Sequence, residues 1–148
     1  MNSIFLKLIG AHFLITIIII VVMGLAINDI TYFLVSIFSC FLYFISGYKL
    51  TNEKSNWINY FGVCVIGIFL WVICFALSPD STNYKRNTEA GLWFFYKLYV
   101  MVNSPLNFIE SLNEPYNLRR ELLILFVTPF TISLFQYLGG RLKNKKFE

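Results

Sequence analysis

The chain has 148 residues, of which 57% are hydrophobic and only 14% charged, with a formal net charge of +4. A soluble domain carries about a quarter charged residues, so this composition excludes an ordinary water-soluble core with a polar surface. The basic residues lie in loops and at the ends, without the continuous basic surface that nucleic-acid binding requires.

Four apolar stretches of the chain are long enough to cross a bilayer as helices. A helix rises about 1.5 Å per residue, and the hydrocarbon core is about 30 Å thick. The predicted spans are residues 8–28, 30–48, 55–79 and 121–140. The predicted fold is therefore an all-α integral membrane protein, with residues 1–148 forming one membrane domain built on a compact bundle of four transmembrane helices.

A cleaved signal peptide is the alternative interpretation of the first stretch. Lys7 would be its basic flank, and Gly24-Leu25-Ala26 its cleavage site. The apolar run is longer than that of a typical signal peptide, and a second span follows after Asn28-Asp29. These features favour a first transmembrane helix that forms a tight hairpin with the second.

The distribution of lysine and arginine predicts a plasma-membrane protein with both termini in the cytoplasm. With the N-terminus inside, the cytoplasmic side holds Lys7, Lys49, Lys54 and the four basic residues of the tail. The outer side then holds Lys85, Arg86, Lys97, Arg119 and Arg120. The excess on the first side follows the positive-inside rule, whereas Arg119-Arg120 at the outer end of the fourth span opposes it.

The outer segment, residues 80–118, contains a short apolar stretch from Ala90 to Val102 that Asn103-Ser104-Pro105 should end. We expect it to form an interfacial or shallow re-entrant helix between the third and fourth spans. Its predicted anchors at the headgroup level are Trp93, Phe94, Tyr96, Lys97 and Tyr99. A fifth span here would bury Lys97, Asn103 and Glu110, which is costly in lipid.

Small and polar residues recur at helical spacing within the spans and predict the faces on which the helices pack. Gly47 and Gly67 are examples, since small residues let membrane helices approach closely. Pro129 predicts a kink in the fourth span because it leaves the carbonyl of Leu125 without a helical donor. We expect Thr128 or Thr131 to compensate with a hydroxyl group.

The most polar side chains inside the spans predict a layer near the cytoplasmic ends of the helices. Its members are His12, Ser46, Tyr60 and Gln136. One interpretation is a set of mutually hydrogen-bonded packing residues. The other is a contact with a proton or ligand through His12, whose unperturbed pKa lies near neutrality.

The sequence contains no catalytic motif. The first three predicted spans, and residues 122–140 of the fourth, contain no Asp, Glu, Lys or Arg. The single histidine cannot build a multi-histidine metal site. Cys40, Cys64 and Cys74 lie in apolar runs without a C-x-x-C pair, so a disulfide framework is not predicted. We therefore expect no enzyme, no cofactor and no metal.

The predicted function is that of a non-enzymatic accessory or interaction subunit in the lipid bilayer. It would bind another membrane protein or form a homo-oligomer. The alternative is a small oligomeric transporter or channel subunit that uses His12 and Gln136. Four spans in a short chain with few charges also resemble, in architecture, bacteriocin-immunity-type membrane proteins, which implies immunity as a further alternative.

Overall fold

The structure is a computed structural model that describes residues 3–24, 29–52, 55–77, 92–100 and 118–145. Within these ranges the chain forms helices and contains no strand. The helices are α1 (Ser3–Met23), α2 (Asp29–Leu50), α3 (Gly62–Leu77), α4 (Leu92–Val100) and α5 (Leu118–Asn144), and a 3-10 helix (Trp57–Phe61) leads into α3. Residues 80–91 and 101–117 of the predicted outer segment lie outside the described part.

Four helices are long and apolar enough to cross a membrane, as predicted. Their apolar segments are Ile4–Met23, Phe33–Leu50, Trp57–Leu77 and Leu122–Asn144. However, α1 begins five residues before the predicted start and includes Lys7, and α5 extends beyond the predicted span at both ends. The charge-free stretch marks the apolar part of a helix, whereas the helix itself continues because terminal lysines and arginines reach out to polar surroundings.

The most extensive helix contact is between α2 and α5, and it depends on glycine. A Cβ atom at Gly47 would overlap the backbone carbonyl of Gln136, and one at Gly139 would overlap that of Phe44. The two backbones therefore touch, which only residues without a side chain permit. The packing role predicted for Gly47 is confirmed, and Gly139 adds a second contact from the opposite helix.

The contact between α3 and α5 also follows the predicted faces. A Cβ atom at Gly67 would come within 2.6 Å of the Pro129 ring. The hydroxyl of Ser133 accepts a hydrogen bond of 3.1 Å from the backbone amide of Cys64, in the first turn of α3. Because amides in the first turn lack helical acceptors, Ser133 also caps α3.

The distribution of polarity is the reverse of that in a soluble protein. Large apolar side chains point outward on every long helix, including Ile17 (61% exposed), Phe41 (56%) and Phe69 (65%). The buried side holds, besides apolar residues, His12, Thr16, Ser36, Ser39, Thr128, Ser133 and Gln136. Polar groups are thus collected between the helices and apolar groups face outward, as expected when the surroundings are apolar.

The start of α1 and the ends of α2 and α5 lie at one end of the bundle. There the Lys143 ammonium donates hydrogen bonds to the backbone oxygens of Thr51 (2.6 Å) and Lys49 (3.4 Å). Carbonyls in the last turn of a helix have no helical donor, so Lys143 caps α2. A tail lysine that the sequence presents only as a topology signal therefore also joins two helices.

Candidate functional site

The short helix α4 lies within the bundle and packs against α1, α3 and α5. Trp93, Tyr96 and Tyr99 are buried, and Trp93 is only 2% exposed. This burial contradicts their predicted role as anchors at the headgroup level, because an anchor must face the lipid. The Lys97 side chain is half-buried, and the Phe94 side chain lies outside the described part of the chain.

Two tyrosine hydroxyls attach α4 to its neighbours. Tyr96 donates a hydrogen bond of 2.8 Å to the backbone oxygen of Leu125 in α5. Tyr99 donates one of 3.0 Å to the backbone oxygen of Val63 in α3. Residues that the sequence places at the membrane surface are therefore buried, because their hydroxyl groups find backbone acceptors and their rings pack between helices.

The partner of the Leu125 carbonyl differs from the prediction. Pro129 has no amide hydrogen to donate to it, and the donor is Tyr96. The hydroxyl of Thr128 instead bonds the Ile124 oxygen at 2.8 Å, and that of Thr131 bonds the Thr128 oxygen at 2.7 Å. The expected compensation by threonine at Leu125 is therefore wrong. α5 continues as one helix through Pro129, and the kink stays a prediction.

His12 lies near the middle of α1, as the tenth of 21 residues, and is fully buried. Its Nδ1 atom forms a hydrogen bond of 2.9 Å with the Tyr43 hydroxyl of α2. The Tyr99 ring meets the imidazole edge-on, with 4.6 Å between the ring centroids. The predicted position near the end of the helix is wrong, because α1 begins at Ser3 and adds more than one turn before the charge-free stretch.

The predicted polar layer divides into separate contacts. Gln136 donates a long hydrogen bond of 3.3 Å to the Leu8 oxygen, one turn before His12. Ser46 bonds the Tyr43 oxygen of its own helix at 2.8 Å. Tyr60 lies near the end of α2, where its hydroxyl and that of Thr51 are 2.7 Å apart. Of the four predicted residues, only His12 therefore contacts the side chains of both Tyr43 and Tyr99.

Two buried polar atoms in this region lack a hydrogen bond of good geometry to any described residue. They are Nε2 of His12 and Oε1 of Gln136. Buried polar groups are nearly always hydrogen-bonded, so these two atoms are exceptions within the bundle. The His12 ring also has a hydrogen-bond contact with the backbone of Tyr99, in the last turn of α4. The same side chain forms part of a cavity wall.

The cavity lies between α1, α3 and α4 and has a volume of about 340 Å³. This volume is within the range of about 300–1,000 Å³ that small-molecule sites occupy. Three of its wall residues, Phe13, Leu92 and Phe95, have exposed side chains. The remaining wall residues are His12, Thr16, Ile66, Leu70, Ile73, Cys74, Tyr96, Leu98 and Tyr99.

A second concave surface, the α2–α5 groove, lies on another side of the bundle. It has a volume of about 350 Å³ and is lined by Ile37, Cys40, Phe41, Phe44 and Phe135. Three of these five side chains are phenylalanine, and Phe41 is largely exposed. The groove is thus a shallow aromatic surface with one thiol.

Sequence reasoning missed Tyr43, Thr51 and Lys143 as members of polar contacts. Tyr43 lies on the small-residue face of α2, four residues before Gly47, and this position was the available signal for an inward-facing hydroxyl. No local signal identifies Thr51 or Lys143, because their partners come from distant parts of the chain. The described residues also contain no group of three or more histidine, cysteine or acidic side chains placed to hold a metal ion.

Comparisons with known proteins found no relative of this chain. No protein-family model matches the chain, and neither a curated protein nor a solved structure matches it. The geometry of the described helices is therefore the basis for a functional proposal.

Proposed function

We propose that this chain is a multi-pass plasma-membrane protein whose four long helices cross the bilayer. The reversed polarity of the bundle supports the proposal, because exposed side chains such as Ile17, Phe41 and Phe69 would be costly in water. In lipid the same side chains meet an apolar solvent, and the buried hydroxyl and amide groups stabilise helix association.

The proposed orientation places both termini in the cytoplasm. It is supported by the basic end of the bundle, where the described residues Lys7, Lys49, Arg141, Lys143 and Lys145 lie on the ends of α1, α2 and α5. Cytoplasmic flanks of membrane helices are rich in lysine and arginine. In this orientation α4 is a re-entrant helix that enters the bundle from the outer side, with Tyr99 deeper than Leu92.

The function that this arrangement supports best is non-enzymatic binding of a second membrane protein or of another copy of the chain. The observation that carries it is the α2–α5 groove with Phe41, Phe44 and Phe135. Aromatic side chains are enriched in the centres of protein–protein contacts. A helix of the partner, lying along the groove, would cover the exposed face of Phe41.

Site-specific photo-crosslinking in native membranes tests this function. A photoreactive phenylalanine derivative at Phe41 should give a discrete protein adduct, either a dimer or a complex with one partner. The same derivative at Phe69, which is exposed on α3 outside the groove, is the matched control and should give lipid adducts only. Identical adduct patterns at both positions would exclude the groove as the binding surface.

Transport is the second candidate, and the position of His12 is the observation that favours it. Ionisable side chains within membrane helices often belong to ion or proton pathways. His12 contacts Tyr43 and Tyr99 near the middle of α1. Against transport, no Asp, Glu, Lys or Arg is buried among the helical residues whose side chains the structure describes. Proteoliposome flux that depends on pH and is lost in His12→Gln would favour the transporter over the interaction subunit.

A further inference from the structure

Two exposed lysines lie at the same level on α1 and α2, near the basic end of the bundle. α2 begins six residues after α1 ends, so the two helices run antiparallel, and His12 of α1 contacts Tyr43 of α2. Lys7 precedes His12 by five residues, or about 7.5 Å along the helix axis. Lys49 follows Tyr43 by six residues, or about 9 Å in the same direction. The two lysines therefore differ by only about 1.5 Å in level.

Both lysines are on the outer side of the α1–α2 interface. The inner side is occupied by α5, whose Gln136 bonds the Leu8 oxygen and lies against Gly47. A helix turns about 100° per residue, so Lys7 is about 100° away from Leu8 around α1. Lys49 is about 200° away from Gly47 around α2. Accordingly, both lysine side chains are exposed.

The positive charge of these lysines is not offset by a carboxylate among the described residues. The acidic residues of the described part are Asp29, which begins α2, and Glu121, the fourth residue of α5. Both positions are at the other end of the bundle. Lys143 caps the carbonyls at the end of α2, which weakens the repulsion that the negative end of this helix would exert on an anion beside Lys49.

The surface that continues from the lysines towards the middle of the bundle is apolar. Leu14 follows Lys7 by two helical turns on the same face of α1 and is 61% exposed. Leu42 precedes Lys49 by two turns on the same face of α2 and is partly buried. If the protein spans the bilayer as proposed, hydrocarbon chains cover the leucines. The lysines then extend their ammonium groups to the level of the lipid phosphates, because a charge is costly in hydrocarbon.

We propose that the outer side of the α1–α2 interface binds an anionic phospholipid of the cytoplasmic leaflet, with the lipid phosphate between the ammonium groups of Lys7 and Lys49. A zwitterionic lipid fits less well, because the two lysines repel its choline or ethanolamine cation. Free phosphate would leave the apolar surface around Leu14 uncovered. The proposal rests on the membrane setting of the proposed function but does not depend on a protein partner.

Native mass spectrometry of the purified full-length protein tests the proposal. The delipidated protein in mild detergent is titrated with palmitoyl-oleoyl phosphatidylglycerol or with phosphatidylcholine that carries the same chains. The first phosphatidylglycerol should bind about 25 times more tightly, since each lysine near an anionic lipid contributes a factor of about five, or about 1 kcal/mol. Lys7→Gln and Lys49→Gln should each reduce this preference about fivefold, whereas Lys49→Arg keeps the charge and should retain it.

Arg141→Gln is the matched control, because it removes one positive charge at the same end of the bundle. Arg141 is exposed and lies about 200° from Lys143 around α5, on the face turned away from α2. The control should leave the preference unchanged, and a loss equal to that of the lysine variants would overturn the site in favour of attraction by the whole basic end.

Three further outcomes decide the identity of the occupant. Equal affinity for the two lipids would overturn the preference for an anion. Displacement of phosphatidylglycerol by inorganic phosphate would overturn a lipid as the occupant, and we expect none. Glu53 follows Lys49 in sequence and lies outside the described residues. Glu53→Gln should not weaken binding, and a loss would contradict electrostatic attraction of the phosphate. Because the assay contains no partner protein, its result is independent of crosslinking at Phe41.

Discussion

The Tyr96 hydroxyl donates its hydrogen bond to the Leu125 carbonyl, which is the carbonyl that Pro129 deprives of its helical donor. The carbonyl that lacks a helical donor in α5 is therefore the acceptor that attaches α4. A proline that is unfavourable in an isolated helix provides the acceptor that holds a second helix. The Pro129 ring also lies against Gly67, so the same residue contributes to the α3–α5 contact.

Removing the Tyr96 hydroxyl should destabilise the bundle. Tyr96→Phe leaves the Leu125 carbonyl buried without a donor, which costs about 1–3 kcal/mol. Tyr137→Phe is the matched control, because Tyr137 makes a ring contact with Tyr60 and is partly buried. Thermal or denaturant unfolding in mild detergent measures the difference in the free energy of unfolding.

The link between Tyr96 and Pro129 can be isolated with a double-mutant cycle. Pro129→Ala restores an amide donor for Leu125, so Tyr96→Phe should cost less in that background than in the wild type. Strictly additive losses would show that the Tyr96 hydroxyl stabilises α4 independently of the proline.

Glycine at position 47 should be required for the α2–α5 contact. In Gly47→Leu the new side chain meets the Gln136 backbone, so the helices must separate, at a cost of at least about 1–3 kcal/mol. Gly10→Leu is the control, because a Cβ atom at Gly10 has no atom within 4 Å to meet. Thermal scans of both variants compare the effects, and equal losses would contradict the packing role of Gly47.

Trp93 should be shielded from both water and lipid. In a variant with Trp57 and Trp71 changed to phenylalanine, its emission should be blue-shifted and weakly quenched by iodide and by brominated lipids, because the Trp93 side chain is buried against the neighbouring helices. A variant that retains only Trp57, which is 60% exposed, serves as the comparison. Strong quenching of Trp93 by headgroup-level quenchers would restore the interfacial anchor that the burial contradicts.

The two sides of the membrane should differ in access to a charged thiol reagent. In a background without Cys40, Cys64 and Cys74, a cysteine at Ser81 should react in intact cells. Cysteines at Asn52 and Lys145, both exposed near the basic end of the bundle, should react only after permeabilisation. The opposite pattern would invert the proposed orientation.

The number and approximate positions of the long helices were determined by the sequence alone. The length of an uncharged run such as residues 8–28 and its preference for apolar surroundings are local properties, so both can be read directly from the sequence. Gly47 was likewise recognisable, because a small residue on a small-residue face of a membrane helix has few roles other than close packing. The ends of the helices were less accurate, since Lys7 and Arg141 interrupt the apolar stretch without ending the helix.

Only the tertiary structure determined the burial of α4 against the long helices, the donor to the Leu125 carbonyl and the hydrogen-bond partner of His12 Nδ1. The sequence shows that Tyr96 and Tyr99 are amphipathic, and such a side chain is equally suited to a membrane surface and to a buried site with a backbone acceptor. The choice depends on whether a carbonyl such as that of Leu125, 29 residues away, comes within reach. His12 and Tyr43 are separated by 31 residues, and no periodicity in either helix specifies their contact. These pairings arise because packing of the long helices brings distant polar groups together where each would otherwise be buried without a partner.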